Sequence, residues 1–213
     1  MAIKTETIPQ LFNLALATGV IVTVGDAVQD LIQGYDAGRV AARKAAVLAA
    51  MLGYVLLWST KIFVDDNEVL FGGKSRKRPG VDLVFLVVSY SFLISAAAAL
   101  TSAYFLFLLM GHFVTLILWV AVSYLFDKTE EDATTPNASR DYRRTWLVID
   151  LLSLLTLIAI SLNQDSILWW WLGTVTLLAL LSIDAWRSET LSSRKLMGPK
   201  DETADHAAVG GSA

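Results

Sequence analysis

With 213 residues, 55% of them hydrophobic and only 17% charged, the chain falls outside the range of soluble domains, in which about 25% of residues are charged. Its mean hydropathy is +0.55, and its apolar residues come in runs close to the about 20 that cross a bilayer, which points to an integral membrane protein. A formal net charge of −3 gives no basis for a nucleic-acid partner, and the absence of cysteine excludes a disulfide, a thiolate metal site and a thiol nucleophile.

The first apolar run, about Leu11 to Val24, is short for a crossing and is followed by Gly25-Asp26. It is read as retained, and as part of a helix over about 9–28 that continues amphipathically to Gly34. The second helix spans about 45–64, with Ala45, Ala49 and Gly53 on one stripe where another helix can approach closely. A loop follows that packs Lys74, Arg76, Lys77 and Arg78 together before Pro79-Gly80.

The tract from Val81 to Phe126 would be roughly 70 Å long as one helix, about twice the hydrocarbon thickness. It must therefore fold back, and the Thr101-Ser102 dipeptide marks the turn. That gives helices over about 81–100 and 103–126, the first with a small-residue stripe at Ser91, Ser95 and Ala99. The polar stretch Asp127 to Thr145 then leads to helices over about 146–162 and 167–186, joined by Asn163-Gln164-Asp165-Ser166. Residues 187–213 read as a disordered tail.

The fold class expected is thus all-α: a polytopic bundle of six transmembrane helices, or five if the first does not span, arranged as three helical hairpins. Positive residues collect on one side, at Lys4, 74–78, 128–144 and 187–200, against only Arg39, Arg43 and Lys44 on the other. The positive-inside rule then expects a cell membrane protein with its C-terminus in the cytoplasm and, with six spans, its N-terminus there too. Trp169-Trp170-Trp171 at one level and Trp146 and Trp186 at the other fit two interfacial aromatic belts.

Ionisable groups inside a bilayer are costly, so each needs a reason. Asp26, Asp82 and Asp184 fall near predicted helix ends and are read as interfacial, with Asp82 a helix cap. Lys61 and Asp150 lie at one level, roughly 5 Å below the same surface, which permits an interhelical ion pair. His112 is deepest, and Thr115, Trp119 and Ser123 share its face, while Asp150, Ser153 and Ser161 form a polar arc on the fifth helix. Those two arcs, through His112, Thr115, Ser123, Asp150 and Ser153, are the candidate transport path.

Two histidines, at 112 and 206, do not make a multi-histidine metal centre, and neither a phosphate loop nor a nucleophile elbow is present. No metal or cofactor is expected, and no sequence signal asks for catalysis, an aspartate pair acting within the membrane being a third reading behind the two that follow. The expected function is passage of a small solute or ion, as a channel or a proton-linked transporter. The alternative is a membrane anchor or sensor subunit that docks a partner through its basic loops and tail. The expected partners are the bilayer itself, anionic lipids at Lys74, Arg76, Lys77 and Arg78, and a second copy of the chain along the small-residue stripes.

Overall fold

A computed structural model describes residues 7–65, 79–126 and 136–196. Within them lie six helices and no strand: α1 (Thr7–Asp36), α2 (Ala42–Asp65), α3 (Pro79–Ala98), α4 (Tyr104–Phe126), α5 (Pro136–Leu162) and α6 (Ile167–Leu196). All six are long and apolar enough to cross a membrane, so the protein is a six-helix transmembrane bundle. Backbone groups in hydrocarbon must be satisfied within their own segment, and helices do this.

Several boundaries move relative to the sequence reading. α1 passes through Gly25-Asp26 unbroken, because one glycine costs a helix only about 1 kcal/mol. It ends two residues beyond Gly34, and the chain turns at Gly38, whose φ of 69° suits a residue without a Cβ. α5 starts ten residues before Trp146, at Pro136, and proline suits a first helical position. α6 continues to Leu196 instead of ending at Trp186, since no glycine or proline interrupts it before Gly198-Pro199. The stretch read as tail therefore begins as helix.

The helices form a closed ring. α1 packs beside α2, α2 beside α6, α6 beside α5, α5 beside α4, α4 beside α3, and α3 beside α1. α2 leans inward to touch α3 as well, and is the most enclosed of the six. The three expected hairpins are present, with turns at 37–41, 99–103 and 163–166. Ser102 Oγ accepts the Tyr104 N–H at 3.2 Å, and the Ser166 carbonyl accepts from Trp169 at 3.1 Å, so each turn also starts the next helix.

These turns mark the far end of the ring, and the opposite end is the near end. Within the α3–α4 hairpin, the Phe92 ring lies over Gly111, where a Cβ would meet it at 2.6 Å. That absent side chain lets the two helices close up immediately beside His112. The small-residue stripes are not used in the same way: Ala49, Ser91 and Ser95 are exposed on the outside of the ring. Lys74, Arg76, Lys77 and Arg78 lie outside the described residues.

Candidate functional site

Six helices around a common axis must fill that axis with side chains, and here the filling is asymmetric. The buried polar side chains among the described residues are Asn13, Ser59, Ser89, His112, Thr115, Asp150, Ser153, Thr174 and Asp184. All except Thr174 lie in the near half or at mid-depth, and Thr174 is satisfied by its own helix through the Trp170 carbonyl at 2.7 Å. The far half is filled by Met51, Leu93, Phe105, Leu109, Leu157 and Ile160.

In the near half, α2, α5 and α6 bring three charged side chains together. Lys61 Nζ lies 2.6 Å from Asp184 Oδ2, with the two side chains only 11% and 2% exposed. The ammonium also stands 5.4 Å from the Trp146 ring centre and 6.0 Å from that of Trp58, near enough for attraction by the indole faces. Asp150 is 4% exposed and lines the same cavity, within electrostatic range of both Lys61 and Asp184. The remaining walls are Trp58, Ile62, Leu116, Trp119, Val120 and Trp146, around a partly open cavity of about 30 Å³. A void of that size on partly polar walls has room for water.

Trp119 is held in place from outside the cavity. Its indole N–H donates to Asp82 Oδ1 at 2.7 Å, and Phe85 stacks on it at 6.4 Å with 10° between ring planes. Asp82 therefore does more than sit in the first turn of α3: it fixes one wall of the charged cavity.

Polar atoms continue inward from the cavity. Ser153 stands one turn deeper than Asp150 on α5, beside Tyr54 of α2. Trp58 lies 5.9 Å from the Tyr54 ring and 6.3 Å, edge-on, from His112. Tyr54 Oη and Ser153 Oγ are buried beside one another, and Trp58 Nε1 and His112 Nε2 are buried with no hydrogen-bond partner among the described residues. His112 Nδ1 lies 2.9 Å from Ser89 Oγ and 3.2 Å from the Ser89 carbonyl. A carbonyl only accepts, so the contact with it calls for the tautomer that carries the proton on Nδ1 and turns the Nε2 lone pair to the interior. Asn13 of α1 is a further buried side chain whose two amide atoms have no partner.

Of the candidate path residues, the structure gathers Asp150 and Ser153 at the cavity and its inner margin and buries His112 below them. Thr115 is buried but bonds the Gly111 carbonyl of its own helix, and half-buried Ser123 bonds Val120 in the same way. Lys61 forms an ion pair with Asp184, and Asp150, the partner expected from the sequence, lines the same cavity within electrostatic range of the ammonium. Asp184, read from the sequence as able to reach water, is 1% exposed. Trp146, read as an interfacial anchor, turns inward onto Lys61, while Trp169, Trp171 and Trp186 face outward.

Sequence reasoning missed Tyr54, Trp58 and Asn13. Tyr54 and Trp58 stand at a spacing of four on α2, one turn before Lys61, and that spacing was the available signal. Among the described residues no group of three or more His, Cys, Asp and Glu side chains is placed to hold a metal ion. No protein-family model, curated protein or solved structure matches the chain.

Proposed function

We propose that the protein passes a small ion across the membrane, linked to proton movement, with the Lys61–Asp184–Asp150 cavity as the internal site. The observation that carries this reading is the charged cavity itself. Burying three ionisable side chains in a bundle that lipid surrounds is expensive, and such residues commonly mark ion pathways and proton relays. An apolar filling of the same volume would hold six helices together as well or better. Trp58 Nε1 and His112 Nε2, deeper in the same interior, support the same reading, because buried polar atoms without partners invite water. The apolar far half then acts as the closed gate of the resting state.

In this reading the near end faces the cytoplasm, since the positive residues of the sequence collect there, and the membrane is the cell membrane. Lys74, Arg76, Lys77 and Arg78 would add attraction to anionic headgroups, about 1 kcal/mol for each charge near the surface.

The test is flux. Purified protein in liposomes loaded with a pH-sensitive or ion-sensitive dye should move its ion faster than empty liposomes, and Asp150→Asn should return the rate to that of empty liposomes. A native protein that is folded, moves nothing, and co-purifies with one stoichiometric partner would instead establish the anchor or sensor reading.

A further inference from the structure

Asp150 and Asp184 are both aspartates, both buried and both at the cavity, yet their surroundings differ. Asp184 has the Lys61 ammonium at 2.6 Å. Asp150 is 4% exposed, borders the void, and makes no hydrogen bond or ion pair among the described residues. A buried carboxylate in that position needs something from the void: water, a metal cation or a proton.

The walls discriminate between these. A sodium or larger cation needs several oxygen ligands; here only Asp150 and Asp184 carry them, Asp184 is held by Lys61, and the three indoles, Ile62, Leu116 and Val120 supply none. Water alone leaves the carboxylate's charge in an enclosure where Lys61 is already engaged by Asp184. A proton needs no coordination shell, takes no room, and cancels the charge.

We propose that Asp150 is the proton-binding residue of the cavity, and that the small ion of the proposed function is a proton. The inference deepens that reading and rests on it for direction of travel, though not for the binding step. In that step a lone pair on an Asp150 carboxylate oxygen forms an O–H bond with a proton of hydronium in the cavity, leaving water behind. The neutral acid is then a donor facing Ser153 Oγ, one turn further in on its own helix.

The charged and titratable groups around Asp150 set its behaviour. From α2 these are Lys61 and Tyr54, and from α6 Asp184, with Arg187 at the rim where it bonds Thr145 at 3.4 Å. From α4 only the uncharged Trp119, Leu116 and Val120 face the cavity, with His112 deeper in the same helix. Lys61 is the group most able to change Asp150's state, by leaving Asp184 for it.

Infrared spectroscopy of the full chain in liposomes tests the assignment, because a protonated carboxylic acid has a carbonyl stretch that a carboxylate lacks. At the pH where proton uptake is followed, the native protein should show that band. Asp150→Asn should remove it, and Asp165→Asn, in the exposed far turn, should leave it. Asp184→Asn should weaken it, as the freed Lys61 turns to Asp150. No band in the native protein, or a band that survives Asp150→Asn, overturns the proposal. So does a band lost at constant pH when sodium replaces choline, since the void would then be holding a metal cation. If Asp150→Asn fails to fold, the same measurement on native protein with isotope-labelled aspartate carboxyls decides, and absence of a shifted band is the overturning result. A band that depends on Asp150 in a protein with no flux sustains the proton site and removes only the passage reading.

Discussion

The near and far halves of the ring are built from the same six helices and solve the filling of its axis in opposite ways. The far half is a packed apolar plug of Met51, Leu93, Phe105, Leu109, Leu157 and Ile160. The near half surrenders part of that packing to a charged cavity and to buried hydroxyl, indole and imidazole groups. Helix association in a membrane draws on close packing, so the near half is the weaker adhesive of the two. In the reading proposed above, the polar half serves passage more than stability. It also separates two kinds of buried polar group. His112 is sealed between Trp58 and Phe113 with Nδ1 bonded to Ser89, whereas Asp150 borders open space. Burial alone does not single out a functional group; room beside it does.

The largest effect expected on this contrast comes from removing Lys61, the one cation among the described residues that line the cavity. Lys61→Met leaves Asp150 and Asp184 facing one another without the ammonium. A buried ion pair broken on one side costs about 3–5 kcal/mol. The loss should read as a lower unfolding free energy in mixed micelles, and Lys61→Met with Asp184→Leu should recover most of it. Additive losses in that pair of substitutions would mean that the 2.6 Å contact is not energetically coupled.

The plug is probed from the other side. Leu109 is fully buried on α4, so Leu109→Ala should cost about 2–5 kcal/mol, at the low end if neighbours collapse into the space. If the far half is the gate, the folded fraction should also leak protons faster than the native protein. Unchanged leakage at clearly lowered stability would assign the plug to packing alone. A smaller effect is expected between the halves, at Gly111. A Cβ there meets the Phe92 ring at 2.6 Å, and Gly111→Ala should cost about 1–3 kcal/mol as the α3–α4 hairpin opens. Phe92→Leu in the same chain should restore part of the loss.

The bundle was legible in the sequence because hydrophobic run length and loop charge are properties of the chain itself. The Val81–Phe126 tract had to be a hairpin on length alone, and Thr101-Ser102 lies in its turn. Depth was legible too: Lys61 and Asp150 belong at one level, and the structure puts them at one cavity. What a single sequence does not carry is which helix stands beside which. The ring closes by packing α2 against α6, so Lys61 meets Asp184, a contact between helices four steps apart in the chain. The same closure turns Trp146 inward and buries Asp184, each of which looked interfacial from its position near a helix end. Asn13 escaped notice because an isolated amide in an apolar run gives no periodic signal.

The mildest substitution bears on His112, the residue the sequence marks as deepest. Ser89→Ala removes the hydroxyl 2.9 Å from Nδ1 but leaves the Ser89 carbonyl at 3.2 Å as an acceptor. The buried N–H therefore keeps a partner, and the expected cost is about 1 kcal/mol, the net worth of one hydrogen bond. Nε2 still carries the lone pair, because Nδ1 still holds its proton. Flux should be unchanged if His112 acts through Nε2, and nitrogen chemical shifts of labelled histidine should report the same tautomer in both proteins. A switch of tautomer would place the proton on Nε2 and take the acceptor off the inner end of the polar thread. Flux lost together with that switch would mean that the Ser89 hydroxyl, more than its carbonyl, sets the direction in which His112 faces the path.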